Sequence, residues 1–188
     1  PQWSPPKSFE EFRLLWPLAA GRCFDAVTCA TPDTLQQRLS LFADTVLVSS
    51  PAQLARLPAL ITLASLQPPP CMFFSSGGPL PVAAAGEFTR QFGQAPTEVF
   101  GSTETGGVAW RRLENGDAWT PLPGVRVDAA ADGALILHSP FVDGHSPWRM
   151  DDAVELLPGG CFRLRGRLDR TIKVEEKRLS LPEMEARL

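Results

Sequence analysis

Phe100-Gly101-Ser102-Thr103-Glu104-Thr105-Gly106-Gly107 is the stretch on which the reading of this chain turns. A short apolar run, Glu98-Val99-Phe100, precedes it and another, Val108-Ala109-Trp110, follows, which predicts a loop leaving one strand end and entering the next strand. Glycines at 101, 106 and 107 let backbone approach a ligand closely, and Thr103 and Glu104 set a hydroxyl beside a hard carboxylate. That pair suits a phosphate with its Mg²⁺, because the ion takes one or two carboxylates and completes its shell with water and phosphate oxygens. By itself such an octamer is more often an ordinary solvated turn.

Outward from the octamer, the secondary-structure signals alternate. Ser8 and Glu11 form a capping box for a helix from about Phe9 to Trp16, where Pro17 interrupts it. Cys23 to Ala30 reads as a strand. Thr31-Pro32 opens a helix carrying Leu35, Leu39 and Phe42; Thr45 to Val48 is the next strand; Ser50-Pro51 opens helical turns through Leu54, Leu57, Leu60 and Leu63. Cys71 to Phe74 is a short apolar strand that delivers Ser75-Ser76-Gly77-Gly78-Pro79 at its carboxyl end, the edge where open α/β sheets bind ligands. A helix from Pro81 through Phe88 and Phe92 ends at Gly93. Beyond Val108 the pattern changes to hairpins, Val125–Ala129 with Ala134–Leu137 and Ala153–Leu157 with Cys161–Arg165. The fold expected is therefore α/β, a mostly parallel sheet with packed helices over about 1–110, followed by a small antiparallel β subdomain.

Ser75-Ser76-Gly77-Gly78-Pro79-Leu80, the Phe100 octamer, Asp152 and Gly166-Arg167-Leu168-Asp169-Arg170-Thr171-Ile172-Lys173-Val174, in that order, resemble the adenylate-forming (AMP-binding) superfamily of acyl- and aryl-CoA synthetases, luciferases and peptide-synthetase adenylation domains. The resemblance implies a division into a partial α/β subdomain (1–110), a barrel-like β subdomain (111–168), and a hinge with the start of a C-terminal domain (169–188). It implies an acid-thiol ligase that uses ATP and Mg²⁺ to make an acyl-AMP from a small carboxylic acid and passes the acyl group to CoA or an acyl carrier protein. Thr103 and Glu104 are then catalytic, with Glu104 holding the metal. Gly77, Gly78, Phe100, Gly101, Thr103, Asp152 and Arg167 bind nucleotide, Phe100 lying along the adenine where the family commonly has tyrosine. Ser76, Pro79, Gly106 and Val108 line the acyl pocket, and Asp169 is the hinge.

The chain departs from the family's pattern at two places. Met150-Asp151 stands where the family usually has Thr-Gly, which makes Asp151 a rival to Asp152, and Glu176 replaces a usual glycine. Pro1 without a methionine and Leu188 inside an amphipathic run suggest a piece of a family member, lacking the phosphate loop and the C-terminal lysine and so expected to be inactive alone. Two alternatives stand beside this reading: a nucleotide-binding or interaction module without chemistry, and an amino-acid adenylation domain.

Composition sets outer bounds. With 188 residues, 44% hydrophobic and 21% charged, the chain can bury a real core. A net charge of −3 supplies no field for nucleic acid or an anionic membrane. No apolar run approaches a membrane span and no secretory leader opens the chain, so a cytoplasmic location is expected. Cys23, Cys29, Cys71 and Cys161 lack metal or redox spacing and read as buried free thiols. His138 sits in an apolar run, which with His145 leaves no credible Ser-His-Asp set for a hydrolase.

Overall fold

The structure is a computed structural model that describes residues 16–142 and 147–168 and the backbone of 171–174 and 177–180. The capping box at Ser8 and Glu11, His145, Asp169, Glu176 and the run after Ser180 lie outside the described residues. The chain forms two compact units, one of residues up to 98 together with 112–114, the other of 99–111 and everything from 115 onward.

In the first unit, the helix starts follow the local chemistry. Helical turn α1 (Trp16–Ala19) carries Pro17 in its first turn; the predicted helix before it lies outside the described residues. Helix α2 (Pro32–Leu39) is capped by Thr31, whose Oγ1 accepts the Thr34 N–H at 3.2 Å, with Pro32 in the first turn where its missing donor costs nothing. Ser50 does the same for α3 (Pro51–Leu60), accepting from Gln53 N at 3.3 Å. The turns predicted through Leu63 stop short: Pro58 removes a donor from the last turn, Ile61 is extended, and Leu63 begins a separate 3₁₀ turn, Leu63–Ser65. Helix α4 (Val82–Phe92) ends on Gly93 at φ 77°, whose N–H reaches Thr89 O.

Strands β1 (Val46–Ser49) and β2 (Met72–Ser76) pair in parallel, Ser49 opposite Ser75, and β3 (Thr97–Ser102) follows β2 in strand order. One apolar cluster draws Leu35 and Leu39 from α2, Leu54 and Leu57 from α3, Phe73 from β2, and Ala84, Ala85 and Phe88 from α4. Phe73 meets Phe88 edge-on at 5.0 Å and Phe92 at 4.8 Å. Each large side chain buried in this way stabilises the unit by about 1.5–3 kcal/mol.

No strand forms over 23–30. Asp25 instead accepts the Val27 N–H and takes both ends of the Arg38 guanidinium, at 2.6 and 2.9 Å, which bends the segment toward α2. The four cysteines are free, but none is buried: Cys23 and Cys71 are exposed, and Cys29 and Cys161 are partly so. Cys71 precedes β2 rather than joining it, and its thiol donates to the Thr45 carbonyl.

The second unit holds the remainder of β3, β4 (Gly106–Arg111) and β5 (Thr120–Pro121), with β4 and β5 antiparallel. Sheet character is thus mixed rather than mostly parallel. A four-stranded antiparallel sheet runs β6 (Arg126–Ala129), β7 (Ala134–His138), β8 (Trp148–Leu156), β9 (Phe162–Arg167). Irregularities at Ala134/Ile136 and at Ala153/Val154 interrupt its register, a device that bends strands. Val108, Ala109, Trp119, Leu135, Leu137 and Phe162 form its core. His138 stands on β7 with its Nε2 2.9 Å from an Asp128 oxygen. Beyond β9, β10 (Thr171–Val174) and β11 (Lys177–Ser180) pair antiparallel.

Candidate active site

The Phe100 octamer is a tight turn between strands rather than a long loop. β3 extends through Ser102 and β4 begins at Gly106, so only residues 103–105 make the turn. Two hydroxyls build it. Thr105, fully buried, accepts the Ser102 N–H at 3.1 Å and donates to the Gly106 carbonyl at 3.1 Å, while Ser102 Oγ accepts the N–H groups of Glu104 and Thr105. These side chains satisfy the turn's own backbone, as serine and threonine do in tight turns. Thr103 and Glu104 are left at the tip, both exposed.

Gly101 and Gly106 stand face to face. A Cβ added at Gly101 would run into the Gly106 carbonyl oxygen, with the carbonyl carbon at 3.0 Å and Gly107 Cα at 3.1 Å. Gly106 holds φ 63°, a conformation that side chains resist. The glycines therefore serve the close approach of two backbones within the turn. Sequence reading missed the part of Ser102 and Thr105; two hydroxyl residues three apart across a turn were the available signal.

Asp152 and Arg167 are brought together. They are direct partners across β8 and β9, with Arg167 Nη1 3.5 Å from Asp152 Oδ2 and Nη2 3.6 Å from Asp151 Oδ2. Asp152 lies within β8 rather than at the mouth of a hairpin, because the strand starts at Trp148. The two acids differ in shielding: the Asp152 side chain is 15% exposed and that of Asp151 63%.

Phe100 is half-buried, its ring 5.6 Å from that of Trp119 and 6.2 Å from that of Phe162. Val108 is wholly buried in the core of its unit, so its side chain is a wall rather than an open lining. In the first unit, Ser75 and Ser76 are buried at the end of β2, Gly77 turns the chain at φ 102°, and Pro79 is exposed. Leu80, which closes that turn, donates its N–H at 2.9 Å to Glu98, a carboxylate only 1% exposed on β3. Sequence reading assigned Glu98 nothing beyond an apolar run. Two concavities of the first unit, of about 340 and 300 Å³, are lined by such residues as Gln67, Cys71 and Gln94, and by Ile61, Glu87 and Arg90; neither includes a predicted site residue.

No family model matches the chain. It is 30% identical over 163 residues to a 4-coumarate–CoA ligase of Rhodobacter capsulatus, a match covering 87% of this chain and 38% of that protein. Among solved structures it resembles a malonyl-CoA ligase complex with methylmalonyl-CoA and AMP bound (TM-score 0.69, 22% identity, 92% of this chain and 44% of that one). It also resembles Escherichia coli MenE with a bound analogue of OSB-AMS (TM-score 0.68, 21% identity, 93% and 41%). The chain thus shares the fold of these enzymes and spans under half the length of each. No helix among the described residues is long and apolar enough to cross a membrane.

Proposed function

We propose that the protein carrying this chain is an acid-thiol ligase. It activates a carboxylic acid with ATP as an acyl-AMP, releases pyrophosphate, and passes the acyl group to the thiol of CoA or of an acyl carrier protein. The reaction must bring two anions together, the substrate carboxylate and the α-phosphate, so positioning and electrostatic stabilisation carry most of the catalysis. The observation that carries the reading is the turn at 103–105. Its hydroxyls at 102 and 105 are consumed in holding it, and it presents Thr103 and Glu104 outward.

The donor set fits Mg²⁺ arriving with phosphates. Glu104 is a single exposed carboxylate, and no group of three or more His, Cys, Asp or Glu that could cage an ion occurs among the described residues. Bound there, the ion would offset charge on the phosphate oxygens. Thr103 donates to phosphate through its hydroxyl. Phe100 lies along the adenine; Gly77, Gly78 and Gly101 are the glycines assigned to nucleotide binding. Asp152 accepts from the ribose hydroxyls, an acceptor-only group suited to a diol, and Arg167, 3.5 Å away, holds it in place. Ser76 and Pro79 in the first unit, and Gly106 and Val108 in the second, are each assigned to the acyl group, and Asp169 is assigned as the hinge of the C-terminal domain.

Pyrophosphate exchange by the full-length protein, with ATP, Mg²⁺ and a panel of fatty, aryl and amino acids, tests this. Exchange supported by one class of acid and lost in Glu104→Ala, with the fold intact, is the expected result. Exchange unchanged in Glu104→Ala removes that residue from the site, and no exchange with any acid overturns the ligase reading.

A further inference from the structure

We propose that Trp119 is a positioning residue that fixes the plane of Phe100, and so the surface against which a purine base stacks; this rests on the reading above that Phe100 faces the nucleotide. Trp119 is 5% exposed, and its ring lies 5.6 Å from that of Phe100 with the planes at 53°. The second wall is Phe162, wholly buried, 6.2 Å from Phe100 at 63°. The two walls are registered by their own backbones: Trp119 N donates to Phe162 O at 2.7 Å, and Phe162 N donates to Trp119 O at 3.1 Å. On Trp119 sits the Arg111 guanidinium, its carbon 4.4 Å from the ring centroid, and Arg111 also donates to the Asp117 carbonyl at 3.4 Å.

The indole N–H shows why packing alone is an insufficient account of Trp119. Trp119 Nε1 is buried and has no hydrogen-bond partner, a desolvation cost that Phe or Leu would avoid. What the indole adds is a broad aromatic face that meets a cation and another ring at once. Phe100 needs such a wall. A phenyl ring turns in a broad χ2 well, and a stacking platform is effective only when its plane is set before the ligand arrives.

The test uses the full-length protein, with AMP binding by calorimetry, pyrophosphate exchange and thermal unfolding of each variant. Trp119→Leu is expected to fold and to bind AMP about three- to tenfold more weakly, the worth of one aromatic pair. It raises the KM for ATP with little change in kcat, and Trp119→Phe restores most of the loss. Because Trp119 acts through Phe100, the double variant Phe100→Ala/Trp119→Leu binds AMP no more weakly than Phe100→Ala alone. A folded Trp119→Leu with wild-type AMP affinity, or losses that add in the double variant, overturns the inference. If Trp119→Leu does not fold, Arg111→Gln removes the cation without emptying the core; about two- to fivefold weaker AMP binding is then expected, and unchanged affinity overturns it. A wild-type protein that binds no AMP overturns the nucleotide reading itself, and this inference with it.

Discussion

Replacing Gly101 by Ala is the sharpest test of how the turn is built. Neither Gly101 nor Gly107 holds a positive φ, so alanine suits the backbone at both, and the unfolded chain loses about 0.4–1 kcal/mol of conformational freedom in either variant, which favours the fold. The difference lies in what the new methyl meets. At Gly101 it runs into the Gly106 carbonyl, with Gly106 C at 3.0 Å and Gly107 Cα at 3.1 Å, all backbone that cannot rotate aside. At Gly107 it meets Leu122 Cδ1 at 2.8 Å, the end of a flexible side chain. Overpacking against fixed atoms costs about 1–3 kcal/mol, so Gly101→Ala should be about 2 kcal/mol less stable than the wild type and Gly107→Ala within about 1 kcal/mol of it. Urea unfolding measures both, and an unchanged m-value shows that stability alone has moved. A Gly101→Ala protein within about 0.5 kcal/mol of wild type, or equal costs at the two glycines, would refute the face-to-face backbone contact.

Further measurements probe other parts of the fold. Thr105→Val keeps the shape of a fully buried side chain but removes the acceptor for Ser102 N–H and the donor to Gly106 O; thermal unfolding should show a loss of about 1–3 kcal/mol, largely recovered in Thr105→Ser. Thr31→Ala removes the N-cap of α2 and should cost about 1 kcal/mol in urea, with Thr31→Ser close to wild type. The Arg149 guanidinium, aided by the Ala134 N–H, holds the Asp132 carboxyl down to about 2 from its ordinary 3.8. A lowered carboxylate stabilises the fold above its unfolded value and loses that contribution as pH falls, here between 3.8 and about 2. Asp132→Asn should flatten the acid limb of the unfolding midpoint across that interval; an unaltered limb would dismiss the pair as a source of pH dependence.

Features written in a few adjacent residues were legible in the sequence. Thr31-Pro32, Ser50-Pro51 and Gly93 each mark a helix end, because a cap is decided by a hydroxyl or a glycine acting on backbone within three residues of itself. Residues 23–30 misled for the opposite reason. Their β-favouring composition is overridden by one carboxylate, Asp25, that finds Arg38 on the following helix, and no local pattern announces that partner. Sheet direction failed similarly: β4 takes β5 antiparallel through Ala109–Pro121 and Trp110–Thr120, a pairing settled by the whole unit rather than by either strand.

At the candidate site the same division separates chemistry from geometry. Thr103, Glu104 and the flanking glycines suggested a phosphate-type turn by their kind, but nothing in the octamer told which hydroxyls are spent on the turn itself; burial of Thr105 against exposure of Thr103 decides that. Asp151 and Asp152 read identically as letters. They are told apart only by a register that sets Asp152 opposite Arg167 and leaves its neighbour largely in water. A charge-assisted bond gains strength where solvent is excluded, so the Arg167–Asp152 contact is the stronger of the two, while the exposed Asp151 shares the Arg167 fork largely in water.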